Sequence, residues 1–268
     1  MPSFQRDRLS FHYRDLGEGV PFVFQHGLGG DVQQPFGLFQ PPHGFRLLAF
    51  DCRGHGETRP LGDPAKLGIA SFADDLLALL DNLAIERVVV GGISLGAAVA
   101  LNFALRFPER VLGIVLSRPA WLDGPMLDNA RLYAQIARLI RERGARAGRK
   151  AFEESGEYRR VLEESPDAAN SLLGQFDNPR AEETVAKLER VPQDAPCRSR
   201  EEWKAIIVPT LVLANRRDPI HPFAFGEILA NGIAGAEFRE LTAKSVSKER
   251  HAADVQNFIS AFLIRHFT

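Results

Sequence analysis

The stretch RVVVGGISLGAAVALNFALRFP, Arg87–Pro108, decides the reading of the chain. It opens on a short β-branched run, the pattern of a parallel strand covered on both faces. It closes on small and apolar residues at helical spacing, ended by Pro108. Between the two lies GGISLG, with Gly92, Ser94 and Gly96 in a G-x-S-x-G pattern. A strand that passes this abruptly into a helix forces the intervening residue into a strained backbone conformation and lifts its hydroxyl above the strand end. Gly92 and Gly96, lacking Cβ, let strand and helix approach closely. The helix N-terminus behind Ser94 favours negative charge developing there. The simpler alternative is an ordinary strand–turn–helix with a serine cap.

Working outward, strands and helices alternate on both sides. Upstream come a hairpin (SFQRD and LSFHYRD), the strand VPFVFQ, the glycine loop HGLGG, the strand FRLLAF, the turn DCRGHG and the helix SFADDLLALLDNLA. Downstream VLGIVLS reads as a further strand. Such alternation predicts an α/β fold, a mostly parallel central sheet flanked by helices. From Trp121 the pattern becomes wholly helical, in LDNARLYAQIARLIRERG, YRRVLEES and AEETVAKLERV. It returns to strand and helix with PTLVLANRRD, FAFGEILANGI, AEFREL and RHAADVQNFISAFLIRHF. The expected organisation is therefore a core in two pieces, 1–120 and 203–268, interrupted by a helical lid at 121–202.

The composition fits a soluble globular protein: 268 residues, 45% hydrophobic and 25% charged. A net charge of −1 supplies no global field for nucleic acid or anionic membrane. No segment approaches the ~20 apolar residues of a membrane span. Two cysteines without metal-type spacing argue against a disulfide framework, and no His/Cys/Asp cluster is spaced for a metal. The expectation is a cytoplasmic protein with a small-molecule substrate and no metal or other cofactor, as monomer or homo-oligomer.

A serine hydroxyl needs a base, usually histidine, and an acid that orients it. Asp218 closes TLVLANRRD at the C-terminal end of a predicted parallel strand, where catalytic groups of open α/β sheets collect. Its plainer reading is a turn residue before Pro219. Of seven histidines, His12, His26, His43, His55 and His266 sit in hairpin, turn or far-helix positions. His221 shares a turn with Asp218. His251 remains, after the last strand, and the order Ser94, Asp218, His251 is the one expected for this architecture. Ser247 is an N-cap candidate for the last helix. His251 then falls on one helical face with Val255, Phe258, Ile259 and Phe262, pointing inward as a base or as a buried structural histidine. An oxyanion hole needs two backbone N–H groups, expected from Leu95 and Leu28.

HGLGG, DCRGHG, GGISLG, NRRDP and His251, in this order, resemble the α/β-hydrolase family, over nearly the whole chain outside the helical insertion. The resemblance implies nucleophile Ser94, acid Asp218, base His251 and oxyanion amides from Leu28 and Leu95. It implies the serine branch with helical lids, which includes esterases, lactonases, thioesterases and hydrolases of C–C bonds next to carbonyls. One departure stands out: the family's histidine usually follows a glycine, whereas His251 follows SVSKER. Substrate-binding candidates are Arg118, Trp121, Tyr133, Phe152 and His221. With Met126, Leu127, Tyr158 and Phe176, the aromatic ones belong to the lid, mostly as its core and in part as walls of an apolar pocket. The expected function is hydrolysis of a small ester, thioester or lactone through an acyl-enzyme. The alternatives are C–C bond hydrolysis, or a ligand-binding receptor with little turnover.

Overall fold

The computed structural model describes residues 2–268, apart from the side chains of residues 127–130. Strands β1 (Ser3–Arg6) and β2 (Leu9–Gly17) form the N-terminal hairpin, turning through Asp7 and Arg8 at positive φ. Then follow β3 (Val20–Gln25), a short α1 (Gln33–Leu38), β4 (Phe45–Phe50), α2 (Ile69–Asn82), β5 (Val88–Ile93), α3 (Leu95–Arg106) and β6 (Val111–Ser117). Four helices separate β6 from the next strand: α4 (Leu127–Glu153), α5 (Gly156–Glu164), α6 (Pro166–Asp177) and α7 (Ala186–Arg190). The chain closes with β7 (Thr210–Ala214), α8 (Phe223–Gly232), β8 (Glu237–Glu240) and α9 (Lys248–Phe267). The strands form one eight-stranded sheet in the order β1-β2-β4-β3-β5-β6-β7-β8. β2 pairs antiparallel with β1 and β4, and every other pairing is parallel.

The apolar runs explain this arrangement. In β5, Val88 and Val90 pack on one face among Leu76, Leu79, Val99 and Phe103 of α2 and α3. Val89 and Ile93 pack on the other among Phe22, Val255, Ile259 and Phe262. Side chains alternate across a strand, so a strand with helices on both faces must be apolar at every position. Ser247 caps α9, its hydroxyl accepting from Arg250 N, and His251, Val255, Ile259 and Phe262 are buried on one face of that helix.

The helical segment departs from expectation in detail. α4 runs on to Glu153 but breaks at Gly144, which adopts φ 74° and ψ 165°. α6 occupies a stretch read as a connection, with Ser165 capping it and Pro166 at its first position. Only Ala186–Arg190 of AEETVAKLERV is regular helix. Leu127 lies among the side chains outside those described. The segment is tied to the turn after β4 by Arg180, which donates to the Gly56 and Thr58 carbonyls at 3.0 and 2.8 Å, and by the buried Lys187, which donates to Gly54 O at 3.0 Å. In that turn Arg53 is buried and clamps Asp75 and Asp7. Asp51 accepts the amides of Val32 and Glu57, both at 2.8 Å. No helix of the described residues is long and apolar enough to cross a membrane.

Gly96 is a tight point of the core. A Cβ there would run into the carbonyls of Gln25, at the end of β3, and His26, and one on Gly92 into the Gly96 backbone itself. Backbone cannot yield as a side-chain tip can, so Gly96→Ala should destabilise the fold by at least the ~1–3 kcal/mol of an overpacked site, measured by urea unfolding. Gly37→Ala in α1, where nothing lies within 4 Å, should leave stability unchanged or slightly raised. Equal effects of the two would contradict this account.

Candidate active site

Ser94 sits between β5 and α3 with φ 56° and ψ −109°. A non-glycine residue at positive φ costs of order 1–3 kcal/mol and persists only where its surroundings over-determine it. Here Ser94 N donates to Ser117 O at 2.9 Å, and the Ser94 carbonyl accepts from Ala97 and Ala98 at 3.0 and 3.1 Å. The residue is 9% exposed and its surface opens into a cavity of ≈ 230 Å³. Gly27 and Leu28 line the same cavity. Their loop is held by Gly27 N on Gln34 Oε1 at 2.7 Å and by His55 Nε2, 2.9 Å from Leu28 O. Among the described residues, the backbone amides of Leu28 and Leu95 have no hydrogen-bond partner.

Asp218 follows β7 and is buried. Its Oδ1 accepts the amides of Ile220 and His221, both at 3.2 Å, closing a tight turn on itself. The turn brings His221 Nδ1 to 3.0 Å from both carboxylate oxygens. On the other side Arg118 donates Nε and Nη2 to Oδ2, at 3.0 and 2.6 Å. Burial alone would raise the Asp218 carboxyl, but His221 and Arg118 hold it well below the usual carboxylate range. Burial draws His221 below the ordinary histidine value, against the upward pull of Asp218. Arg118 reaches this position from the end of β6 with a φ of 50°, its amide donating to Leu213 O of β7 at 2.7 Å.

His251 is placed elsewhere. It lies in the first turn of α9, fully buried, with Nδ1 on the Thr242 carbonyl at 2.8 Å. Burial pulls its imidazole down to about 4. Among the described residues it makes no hydrogen bond to Ser94 or Asp218, and it does not line the cavity. The reason is local: capping by Ser247 starts the helix before His251, so the residue turns under Thr242. The loop ahead of the cap presents Lys244 to the cavity instead. Asp218 is therefore paired with His221, the histidine its own turn brings in, and the expected Asp218–His251 pairing is corrected accordingly.

The other candidates divide. Arg118, Tyr133 and His221 line the cavity. Trp121 and Phe152 do not. Trp121 is buried in the core with its indole nitrogen unpartnered among the described residues, and Phe152 packs against Tyr158 and Phe176. The pocket above Ser94 is accordingly polar where an apolar one was expected. Much of its wall is a face of α6 that sequence reasoning missed: Asp167, Asn170, Ser171 and Gly174, at the i, i+3, i+4, i+7 spacing of one helical stripe. Lys244 was missed too, and no motif marks it.

Known proteins resemble this chain over most of its length. The chain is 25% identical over 262 residues to 3-oxoadipate enol-lactonase 2 of Acinetobacter baylyi, covering 96% of this chain and 94% of that one. It is 27% identical to a 2-hydroxymuconate semialdehyde hydrolase of Pseudomonas putida, covering 97% and 95%. The crystal structure of the enol-lactonase from Burkholderia xenovorans superposes with a TM-score of 0.72 at 25% identity, over 98% of this chain and all of that one. The profile of the alpha/beta hydrolase fold matches residues 20–241, a span that holds the parallel strands, the strained serine and the Asp218 turn. The chain belongs to the alpha/beta hydrolase fold family.

Proposed function

We propose that this protein hydrolyses a small, polar acyl compound, an ester or lactone, through an acyl-enzyme on Ser94, with the helices between β6 and β7 as its lid. The observation that carries the reading is that one cavity is lined both by a serine strained onto a strand-to-helix turn and by a histidine whose Nδ1 meets a buried carboxylate. His221 Nδ1 lies 3.0 Å from both Asp218 oxygens and 3.2 Å from Arg118 Nη2; with the ring proton on Nδ1 and directed to the nearer carboxylate, His221 keeps a lone pair on Nε2, the tautomer a general base needs. Nε2 takes the Ser94 proton as Oγ attacks the carbonyl carbon. The oxyanion is met by the free amides of Leu28 and Leu95. His221 then returns the proton to the leaving oxygen, and water repeats the sequence to free the acid. Asp218 stays ionised, held so by Arg118, and stabilises the imidazolium that forms in between. The names of the relatives, a lactonase and a semialdehyde hydrolase, agree with acyl chemistry and leave the scissile bond to experiment.

The assignment of the base is tested by two substitutions. His221→Ala should lower kcat on an activated ester by about 10³-fold or more, since nucleophile and base act as a unit. His251→Ala should chiefly lower the melting temperature, because it opens a buried site at the start of α9. The reverse pattern would return the base to His251. The pH dependence follows from the burial of His221. The base works when neutral, and its folded value lies below the ordinary 6.5. Activity should thus rise with pH along an acid limb centred below 6.5 and be at its plateau by neutrality. A limb centred above neutrality would contradict His221 as the base.

A further inference from the structure

We propose that the acyl compound carries a carboxylate, docked on the ammonium of Lys244. The inference rests on Ser94 as the reacting group and adds the substrate class. Lys244 lies in the loop between β8 and α9, a loop held by Val246 N and Ser247 N on the Ala243 carbonyl, at 2.9 and 3.1 Å. The lysine lines the same cavity as Ser94 and His221.

Its donors are unspent. Among the described residues Nζ makes no hydrogen bond, and the nearest acid, Asp167 Oδ2, lies at 3.9 Å. That distance is beyond hydrogen-bond reach. The side chain is 28% exposed, too little to leave its three N–H donors fully to solvent. A partly buried ammonium without acceptors forgoes the charge-assisted bonds that would offset its desolvation. An acceptor arriving with the substrate supplies them.

The other cation in the cavity is already engaged. Arg118 spends Nε and Nη2 on Asp218 Oδ2, and the two charges cancel locally. Arg118, one of the substrate-binding candidates from the sequence, has its charge committed to the acid, whereas Lys244 spends none of its donors among the described residues. Tyr133, which also lines the cavity, adds a neutral donor: its hydroxyl has no hydrogen-bond partner among the described residues. An ammonium and a phenol that line one cavity can each donate to an oxygen of a carboxylate. Asp167 opposes an incoming anion, but it is itself partly exposed and only loosely engaged with Lys244.

The test compares 4-nitrophenyl acetate with mono-4-nitrophenyl succinate, which differ by a terminal carboxylate. The wild-type chain should favour the succinate ester in kcat/KM. Lys244→Met should reduce that preference by about tenfold or more, the scale of one charged hydrogen bond. The loss should fall mainly on KM, Lys244→Arg should restore part of it, and Asp167→Asn should increase the preference. An equal fall on both esters would make Lys244 part of the proton-transfer machinery and overturn the proposal. So would a wild-type enzyme without preference. Binding of succinate, measured by calorimetry with succinamide as control, reads the subsite independently of turnover. It should weaken about tenfold or more in Lys244→Met and tighten in Asp167→Asn; identical binding to wild type and Lys244→Met overturns the proposal. If neither ester is hydrolysed while succinate still binds through Lys244, it is the acyl-enzyme reading that fails.

Discussion

The approach of three backbones at one point, β5 at Gly92, α3 at Gly96 and β3 at Gln25, is the constraint on which the site depends. With no room for a Cβ at either glycine, α3 starts immediately above the end of β5, and the one residue between them is held at φ 56°. The strain at Ser94 is sustained by packing elsewhere: Val88 and Val90 against α2 and α3, Val89 and Ile93 against the opposite layer. The loop after β3 brings Leu28 to the same cavity. A serine at the head of a helix thus becomes a serine that lines a cavity.

Around that fixed point the electrostatics are short-ranged and locally balanced. Asp218 is pinned by Arg118 on one side and His221 on the other. A buried carboxylate with two such partners remains an anion through any ordinary pH change, and that is what an orienting acid requires. Arg118 serves Asp218 at the cost of its own availability to a substrate. What is left in the cavity wall includes the polar stripe of α6, Tyr133 and Lys244.

Much of this was legible in the sequence, for identifiable reasons. A continuous β-branched run such as VVV can be buried only as a strand covered on both faces, and GGISLG leaves no residues for a loop, so the sheet and the position of Ser94 follow from pattern. Asp218 is marked by its place at the end of TLVLA. His251 shows the limit of such reading. Its helical face was deduced and is the buried one, but burial on α9 and reach to Asp218 are separate geometric facts, and the second depends on where Ser247 starts the helix. His221 was read as a substrate-binding candidate and His251 preferred as the base, because three residues from an acid reads as mere turn, whereas the turn itself delivers Nδ1 to the carboxylate. α6 was missed because SPDAANS has the composition of a connection; the signal present was Ser165 as cap with Pro166 behind it. Lys244 had no signal at all, since a lysine in a loop is informative only once the cavity is known.

The central claim is that Ser94 is a nucleophile activated from the Asp218 turn. The most direct measurement is intact-mass and peptide-mass analysis after exposure to a fluorophosphonate, on the wild type and on Ser94→Ala, His221→Ala and His251→Ala chains shown to be folded. The account predicts a single adduct on the peptide that contains Ser94, none in Ser94→Ala, slow formation in His221→Ala and near-normal formation in His251→Ala. Labelling that persists in Ser94→Ala, or a folded wild-type chain that takes up no label, would contradict it.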